Sequence, residues 1–359
     1  MGEDTVTLNG KIVFSSGLQL DSDIWSLDLS SGYLAQLTHG ENINSYPRWS
    51  PDGKWIAYIS IQDDLVPSIW VMNSRGTENR RLTRAIYCHG PNWSPDGSRI
   101  IFSGNVEAAS EIDICSIAPD GTALTRLFGV PGLETSPSLS PDGMCILFSA
   151  PTSDSDRTLT FGNRDIIEYH LTTKSKRLIC AHPARDDSPV YSPNGSQIAF
   201  ISYRSDQTDA DVEQSLADYR RALMSDSNAA GHAAIRKMKG ACSDGDIFIV
   251  HRDGSNLRRL ATDAFYASGV AWSPCGQYLI YSGAARDIPG TSRLTIVEAE
   301  SGQQVDFTYD RTKLENSLET ARVAKLSPLM NLVPGFVARH LLPKDLWGAE
   351  QTPHWIAAR

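Results

Sequence analysis

The sequence predicts an all-β fold: a β-propeller of six four-stranded blades, closed by pairing of the N- and C-terminal strands within one blade. Three observations carry this expectation. A five-residue motif recurs along the chain, a strand follows every copy, and the two chain ends carry complementary parts of one repeat. The motif is Trp49-Ser50-Pro51-Asp52-Gly53, and it returns at Trp93 to Gly97, Leu139 to Gly143, Tyr191 to Gly195 and Trp272 to Gly276. The copies start 44, 46, 52 and 81 residues apart. A period of roughly 45 residues is that of propeller blades or helical arrays, and the last spacing holds an insertion.

The chemistry of the motif selects the blade. Proline fixes φ for a type I turn and the final glycine accepts positive φ, so Ser-Pro-Asp-Gly is a tight reversal between strands. Short β-branched and aromatic runs follow, such as Lys54 to Ser60, Ser98 to Ser103, Met144 to Ser149, Gln197 to Ser202 and Gln277 to Ser282. A third strand (Asp113 to Ile117), a turn (Pro119-Asp120-Gly121) and a fourth strand (Leu124 to Leu127) complete the unit. At the N-terminus, Lys11 to Ser16, Asp23 to Leu27 and Leu34 to Thr38 are a second, third and fourth strand without a first. Gln351-Thr352-Pro353-His354-Trp355 is a first strand without a continuation. Joining them closes the ring and leaves no seam.

This pattern, Pro-x-Trp-Ser-Pro-Asp-Gly followed by an aliphatic strand ending in Ser, then Asp-Ile, Asp-Gly and Arg-Leu-Thr, closely resembles the repeats of the TolB-type propeller. The resemblance covers nearly the whole chain outside two insertions and implies a partner-binding propeller. It concerns the propeller part only, and a counterpart of the extra N-terminal domain of TolB is not expected. No Gly-x-Ser-x-Gly elbow occurs in the sequence, which argues against the hydrolase chemistry of the prolyl-oligopeptidase family.

Composition narrows the partners. A net charge of −9 with no basic run argues against nucleic acid and anionic membrane. No stretch is apolar enough to span a bilayer. Residues Met1 to Thr7 lack the features of a signal peptide, and Val6 breaks the myristoylation pattern. A cytoplasmic protein is expected, with an exported, leader-trimmed chain as the alternative. Cys88, Cys115, Cys145, Cys180, Cys242 and Cys275 are scattered and read as reduced thiols.

Several recurrent residues read as structural. Ser15, Ser60, Ser103, Ser149, Ser202 and Ser282 end the second strand of each blade, and Asp23, Asp113, Asp165 and Asp246 open the third strand of four. They are expected to share hydrogen bonds across the hairpin. The aromatic at the head of the motif is expected to pack between blades, with Leu139 the departure. Pro47, Pro91, Pro137, Pro189 and Pro353 suit an edge strand facing a channel.

Aligning the repeats exposes candidate site residues. Five places before the aromatic stand Asn44, Cys88, Glu134, Asp186, Ala267 and Glu350; four places before it stand Ser45, His89, Thr135, Asp187, Ser268 and Gln351. Both columns enter the innermost strand and are expected at the channel mouth, although solvated loop ends are the plainer alternative. Asn44, His89, Glu134, Asp186, Asp187 and Glu350 are the candidate ligand-binding residues. Asn44, Glu134, Asp186 and Glu350 offer oxygen donors suited to a hard cation such as calcium. His39, His182 and His354 have no transition-metal ligand spacing.

Two insertions, 203–244 in blade five and 309–351 before the closing strand, read as helical from apolar spacing such as Val212, Leu216, Tyr219 and Leu223. Both follow connections on the face that carries the polar columns, so they are expected to form a cap there, unless they only decorate the surface or make a dimer contact. The functional expectation is a binding module that holds a peptide, protein partner or small ligand at the capped channel mouth. The alternative is a lyase, isomerase or cyclase in which His89, Glu134 or Asp186 moves protons, assisted by a cation.

Overall fold

A computed structural model of the protein describes residues 8–18, 21–40, 42–84, 86–106, 112–130, 134–152, 163–204, 214, 245–261, 265–284, 292–307 and 351–356. Its elements are short antiparallel strands, labelled here in chain order. One group comprises β1 (Lys11–Leu18), β2 (Asp21–Asp28) and β3 (Leu34–Gln36). The next comprises β4 (Ile43–Trp49), β5 (Trp55–Ile61), β6 (Ser68–Asn73) and β7 (Arg80–Arg81). Then come β8 (Cys88–Trp93), β9 (Ile100–Gly104), β10 (Asp113–Ile117) and β11 (Thr125–Phe128), and β12 (Thr135–Leu139), β13 (Cys145–Ala150), β14 (Asp165–His170) and β15 (Lys176–Cys180). They are followed by β16 (Asp186–Tyr191), β17 (Gln197–Ser202), β18 (Asp246–His251) and β19 (Arg258–Ala261). The last are β20 (Phe265–Trp272), β21 (Tyr278–Ala284), β22 (Ser292–Glu298), β23 (Gln304–Val305) and β24 (Gln351–Ile356).

Each group is an antiparallel meander, and β24 supplies the missing first strand beside β1, with Ile12 opposite Trp355 and Val13 opposite His354. A single parallel bridge, Ser22 to Ile43, joins the first two groups into one sheet. The motif forms the expected turn. Ser50 Oγ donates to Asp52 Oδ1 (2.6 Å) and accepts from the Trp55 N–H (3.0 Å), while Gly53 sits at φ 68°. Ser94 with Asp96, Ser140 with Asp142 and Ser192 with Asn194 repeat the same hydroxyl bond.

Packing between groups follows the head aromatics. Trp93 joins Ala57, Ile59 and Val71 of the preceding group to Ile100 and Phe102 of its own. Trp272 packs on Ala199, Ile201 and Ile247, and Trp355 on Ala271, Ile280 and Leu294. Two-sided sheets stacked through such seams bury hydrophobic clusters in which phenylalanines such as Phe14, Phe102, Phe148 and Phe200 are fully enclosed. Cys88, Cys115, Cys145 and Cys180 are buried thiols, whereas Cys275, in the motif turn, is exposed.

The role expected of the third-strand aspartates needs correction. They reach toward the fourth strand: Asp113 grips Arg126 (2.6 and 3.0 Å), Asp246 takes Arg259 (2.7 Å), and Asp23 accepts from Gln36 (2.8 Å) and Thr38 (2.7 Å). Among the described residues, the hydroxyls of Ser60, Ser103, Ser149 and Ser282 are buried with no hydrogen-bond partner. A guanidinium or a long amide spans the hairpin to the aspartate, whereas a serine one strand inward is too short to compete. Apart from Tyr203, Arg204 and Gln214, the insertion 203–244 lies outside the described residues up to Asp244, as does 309–351 up to Gln351.

Candidate functional site

Five of the first strands, β4, β8, β12, β16 and β20, bulge at the same place. The register slips between Ser45 and Arg48, His89 and Asn92, Thr135 and Ser138, Asp187 and Val190, and Ser268 and Val270. The residue at the slip takes a left-handed backbone: Tyr46 at φ 53°, Gly90 at 59°, Ser136 at 55°, Ser188 at 55° and Gly269 at 64°. A proline follows in four of the five, where its missing N–H costs no ladder bond because the strand is an edge. The bulge twists the strand, so residues before and after it face different surroundings.

The column five places before the aromatic turns into the sheets. Cys88 and Ala267 belong to apolar cores between groups. Asn44 is 3% exposed and donates to Thr38 Oγ1 at 3.3 Å. Glu134 is fully buried and accepts from the Val130 N–H. Asp186 is fully buried against Arg204, whose Nη2 lies 2.7 Å from its Oδ2 and 2.8 Å from Cys180 Sγ. Burial pushes the Asp186 carboxyl up to about 7, and the Arg204 guanidinium opposes that rise. Asn44, Glu134 and Asp186 are thus each engaged within or between neighbouring sheets. Among the described residues no three His, Cys, Asp or Glu side chains stand together as a metal site. Glu350 lies outside the described residues, as do the side chains of Ser268 and Gln351.

The column four places before the aromatic does converge in part. Asp187 accepts from Arg185 Nε (2.9 Å), from the Ser188 N–H (2.8 Å) and from the hydroxyls of Thr135 and Ser136 (3.4 Å each). Arg164 Nη1 holds Thr135 Oγ1 at 2.9 Å from the other side. Burial alone would raise the Asp187 pKa, but Arg185 and Arg164 hold it well below the ordinary carboxylate range. His89 meets Tyr46 edge-on, ring centroids 4.3 Å apart. Burial lowers its pKa to about 4; Asp187 opposes this, while Arg164, Arg185 and Arg48 add to it. His89 is thus a neutral imidazole beside one fixed carboxylate and three guanidinium charges. Ser45 is buried.

A third column went unread in the sequence because it occupies the variable place in Pro-x-Trp. Arg48, Asn92, Ser138, Val190, Ala271 and His354 stand one place before the aromatic, and all line a cavity of about 410 Å³ bounded by the first strands β4, β8, β12, β16, β20 and β24. The signal was available: a polar, changing residue inside an otherwise constant motif. Arg164 and Arg185 had no such signal, because each precedes a strand in a connection of irregular length.

Sheets arranged around a cavity walled by their innermost strands define a β-propeller. Residues 9–161 match the family described as TolB beta propeller domain. The chain is 29% identical over 192 residues to the Tol-Pal system protein TolB of Francisella tularensis, covering 53% of this chain and 42% of that protein. It is 31% identical over 170 residues to the uncharacterized peptidase YuxL of Bacillus subtilis, covering 38% of this chain and 26% of that one. The crystal structure of TolB from Acinetobacter baumannii superposes with a TM-score of 0.64 at 16% identity, covering 96% of this chain and 66% of that one. The chain thus spans less than half the length of these curated relatives, and it resembles the TolB-type propeller.

Proposed function

We infer that the chain is a binding module of the TolB-like propeller type, holding a peptide, protein partner or small ligand at the mouth of its channel. The observation that carries this reading is the cluster of Asp187, Thr135, Ser136, His89, Arg164 and Arg185, assembled from different sheets where the first strands begin. A preorganised carboxylate flanked by hydroxyls and guanidiniums suits hydrogen-bonding recognition of a polar main chain or a zwitterionic group. The same reading has six blades closed by β24 beside β1, with the insertions 203–244 and 309–351 as a helical cap over that mouth. The enzyme alternative is not favoured. His89 is held neutral, Glu134 is bonded to a main-chain N–H, and Asp186 is committed to Arg204.

A thermal-shift screen tests it, with peptides and metabolites as probes, cations and a chelator alongside, and Asp187→Ala and Arg185→Ala as comparators. A ligand that binds only the folded state at a hundred times its Kd adds about 2.7 kcal/mol. The expected result is a dose-dependent rise in melting temperature with a peptide or metabolite, lost in Asp187→Ala. Responses unchanged in both variants would remove the site from the mouth, and a calcium response abolished by Glu134→Ala would support a cation site there.

No helix among the described residues is long and apolar enough to cross a membrane. The cytoplasmic expectation draws no support from the relatives, and an exported chain stands beside it as an equal proposal.

A further inference from the structure

Neighbouring sheets are fastened to one another at the rim in a repeated way, and one seam departs from it. Fourth-strand arginines opposite Val71, Glu168 and Ile249 reach the turn of the next sheet: Arg80 Nη2 donates to Pro119 O (2.8 Å), Arg177 Nη2 to Arg252 O (2.8 Å) and Arg258 Nη1 to Glu300 O (3.0 Å). On β11 the same place, opposite Ser116, holds Thr125, which is too short to cross. The turn between third and fourth strands also closes on the preceding sheet through a glycine. A Cβ on Gly76, Gly254 or Gly302 would stand 2.4, 2.9 and 2.4 Å from Leu37 O, Ile179 O and Leu260 O. In the turn between β14 and β15 the left-handed residue is Lys174, at φ 57°. Its Cβ denies that turn the same approach, so among the described residues the seam between β11 and β15 has neither fastening.

The side chains that β15 presents there are also out of pattern. The place opposite Trp70, Cys115 and Phe248 holds Arg81, Arg126 and Arg259, each turned back onto the first residue of its third strand, Ser68, Asp113 and Asp246. On β15 it holds Leu178, opposite Ile167 and 51% exposed. Cross-strand neighbours share a face, and Ile167 packs, with Leu127 of β11, on the cluster of Phe128 and Phe148. Leu178 thus carries that apolar cluster out to solvent on the side of β11. Lys176, opposite Tyr169 of the same cluster, shares this face, and Lys174 lies beyond it in the turn. Both lysines are exposed and, among the described residues, neither has an ion-pair partner. At five residues β15 is the longest of the fourth strands, and it pairs with β14 alone, so its far edge offers main-chain N–H and C=O groups.

We propose that the edge of β15 is a docking site for an extended, acidic segment of a partner protein, added antiparallel as a further strand. An apolar side chain of that segment covers Leu178, and carboxylates at the following alternate places meet Lys176 and Lys174. Main-chain pairing supplies the affinity, and the row of one leucine and two lysines supplies the choice of partner. A second copy of this chain fits poorly, because twofold pairing of β15 with itself brings Lys176 and Arg177 close to their own counterparts, and like charges across a strand pair repel. This surface shares no residue with the mouth cluster and does not rest on it.

The probe is a fluorescein-labelled peptide, Thr-Val-Thr-Glu-Thr-Glu, whose valine and glutamates fall opposite Leu178, Lys176 and Lys174, read by fluorescence anisotropy with the full chain. Saturable binding is expected with a Kd at or below about 0.1 mM, and a peptide with lysine in place of both glutamates should bind at least about tenfold more weakly. Amide exchange in residues 174–180 should slow on binding. Leu178→Arg installs the arginine that other sheets carry at this place and should weaken binding by about tenfold or more. Lys176→Glu, at an exposed place that the fold does not depend on, should do the same, while Arg75→Glu in the turn between β6 and β7 changes nothing. No saturable binding, equal binding of the lysine peptide, unchanged exchange at β15, or binding that survives Leu178→Arg or Lys176→Glu overturns the proposal. A dimer of the full chain that Leu178→Arg dissolves overturns it too, by giving the edge to a second copy. None of these variants touches Asp187 or Arg185, so the mouth site stands or falls on its own test.

Discussion

Asp186 and Asp187 are neighbours in sequence and opposites in environment. On a strand, adjacent side chains face opposite ways, so one enters the sheet seam and the other the channel. Asp186 is fully buried and paired with Arg204. Asp186→Ala should lose about 3–5 kcal/mol in urea unfolding, since it strands a buried guanidinium. His89 gives a pH prediction whose sign is fixed by its surroundings: Tyr46, Asp187, Arg164, Arg185 and Arg48. Its folded pKa of about 4 lies below the ordinary 6.5, so the unfolded chain takes up the proton first. Its contribution to stability is complete above pH 6.5 and is lost as pH falls toward 4. His89→Gln should flatten that part of the stability profile, and the imidazole resonances of the wild type should titrate near 4. Asp186 runs the other way: with its pKa raised to about 7, its contribution is lost as pH rises from 3.8 through 7.

Among the elements, β24 has the most to reveal, because it is joined to β1 by pairing alone and comes from the far end of the chain. The fit is close at Gly10, where φ is +119° and an added Cβ would lie 2.3 Å from Ile356 O and 2.4 Å from Trp355 Nε1. Gly10→Ala should therefore cost about 1–3 kcal/mol, read as a lowered melting temperature. Trp355→Ala, which empties the seam between Ala271, Ile280 and Phe14, should cost about 3–5 kcal/mol in urea unfolding. The bulged first strands decide which way the column five places before the aromatic faces. An extra residue re-aims the side chains on either side of it, and no spacing count predicts that turn.

At the scale of the whole molecule, closure removes sheet edges. A chain ending before Gln351 would expose the edge of β1 to solvent and to other copies. Size-exclusion chromatography with light scattering should then report self-association that the full chain lacks; a monodisperse truncated monomer would show that closure contributes little. The charge distribution also belongs to this scale. Against a net charge of −9, Arg48, Arg164 and Arg185 all act on His89, and Arg164 and Arg185 also hold Asp187 ionised.

The sequence by itself determined the repeat, its turns and its strands, because Ser-Pro-Asp-Gly and the alternation behind it act through local backbone preferences. It also placed the missing first strand at the C-terminus, where the half-motif at His354 and Trp355 pairs with β1. The convergence of Asp187, Thr135 and His89 was half legible, since their column was named but not their arginine partners. Only the tertiary structure decided that Glu134 and Asp186 face the sheets, that Arg164 and Arg185 reach the channel, and that Arg48 and His354 line one cavity. The physical reason is range. A turn or a strand is set by residues a few places apart, whereas a site depends on which faces meet across sheets, and a one-residue bulge is enough to exchange them.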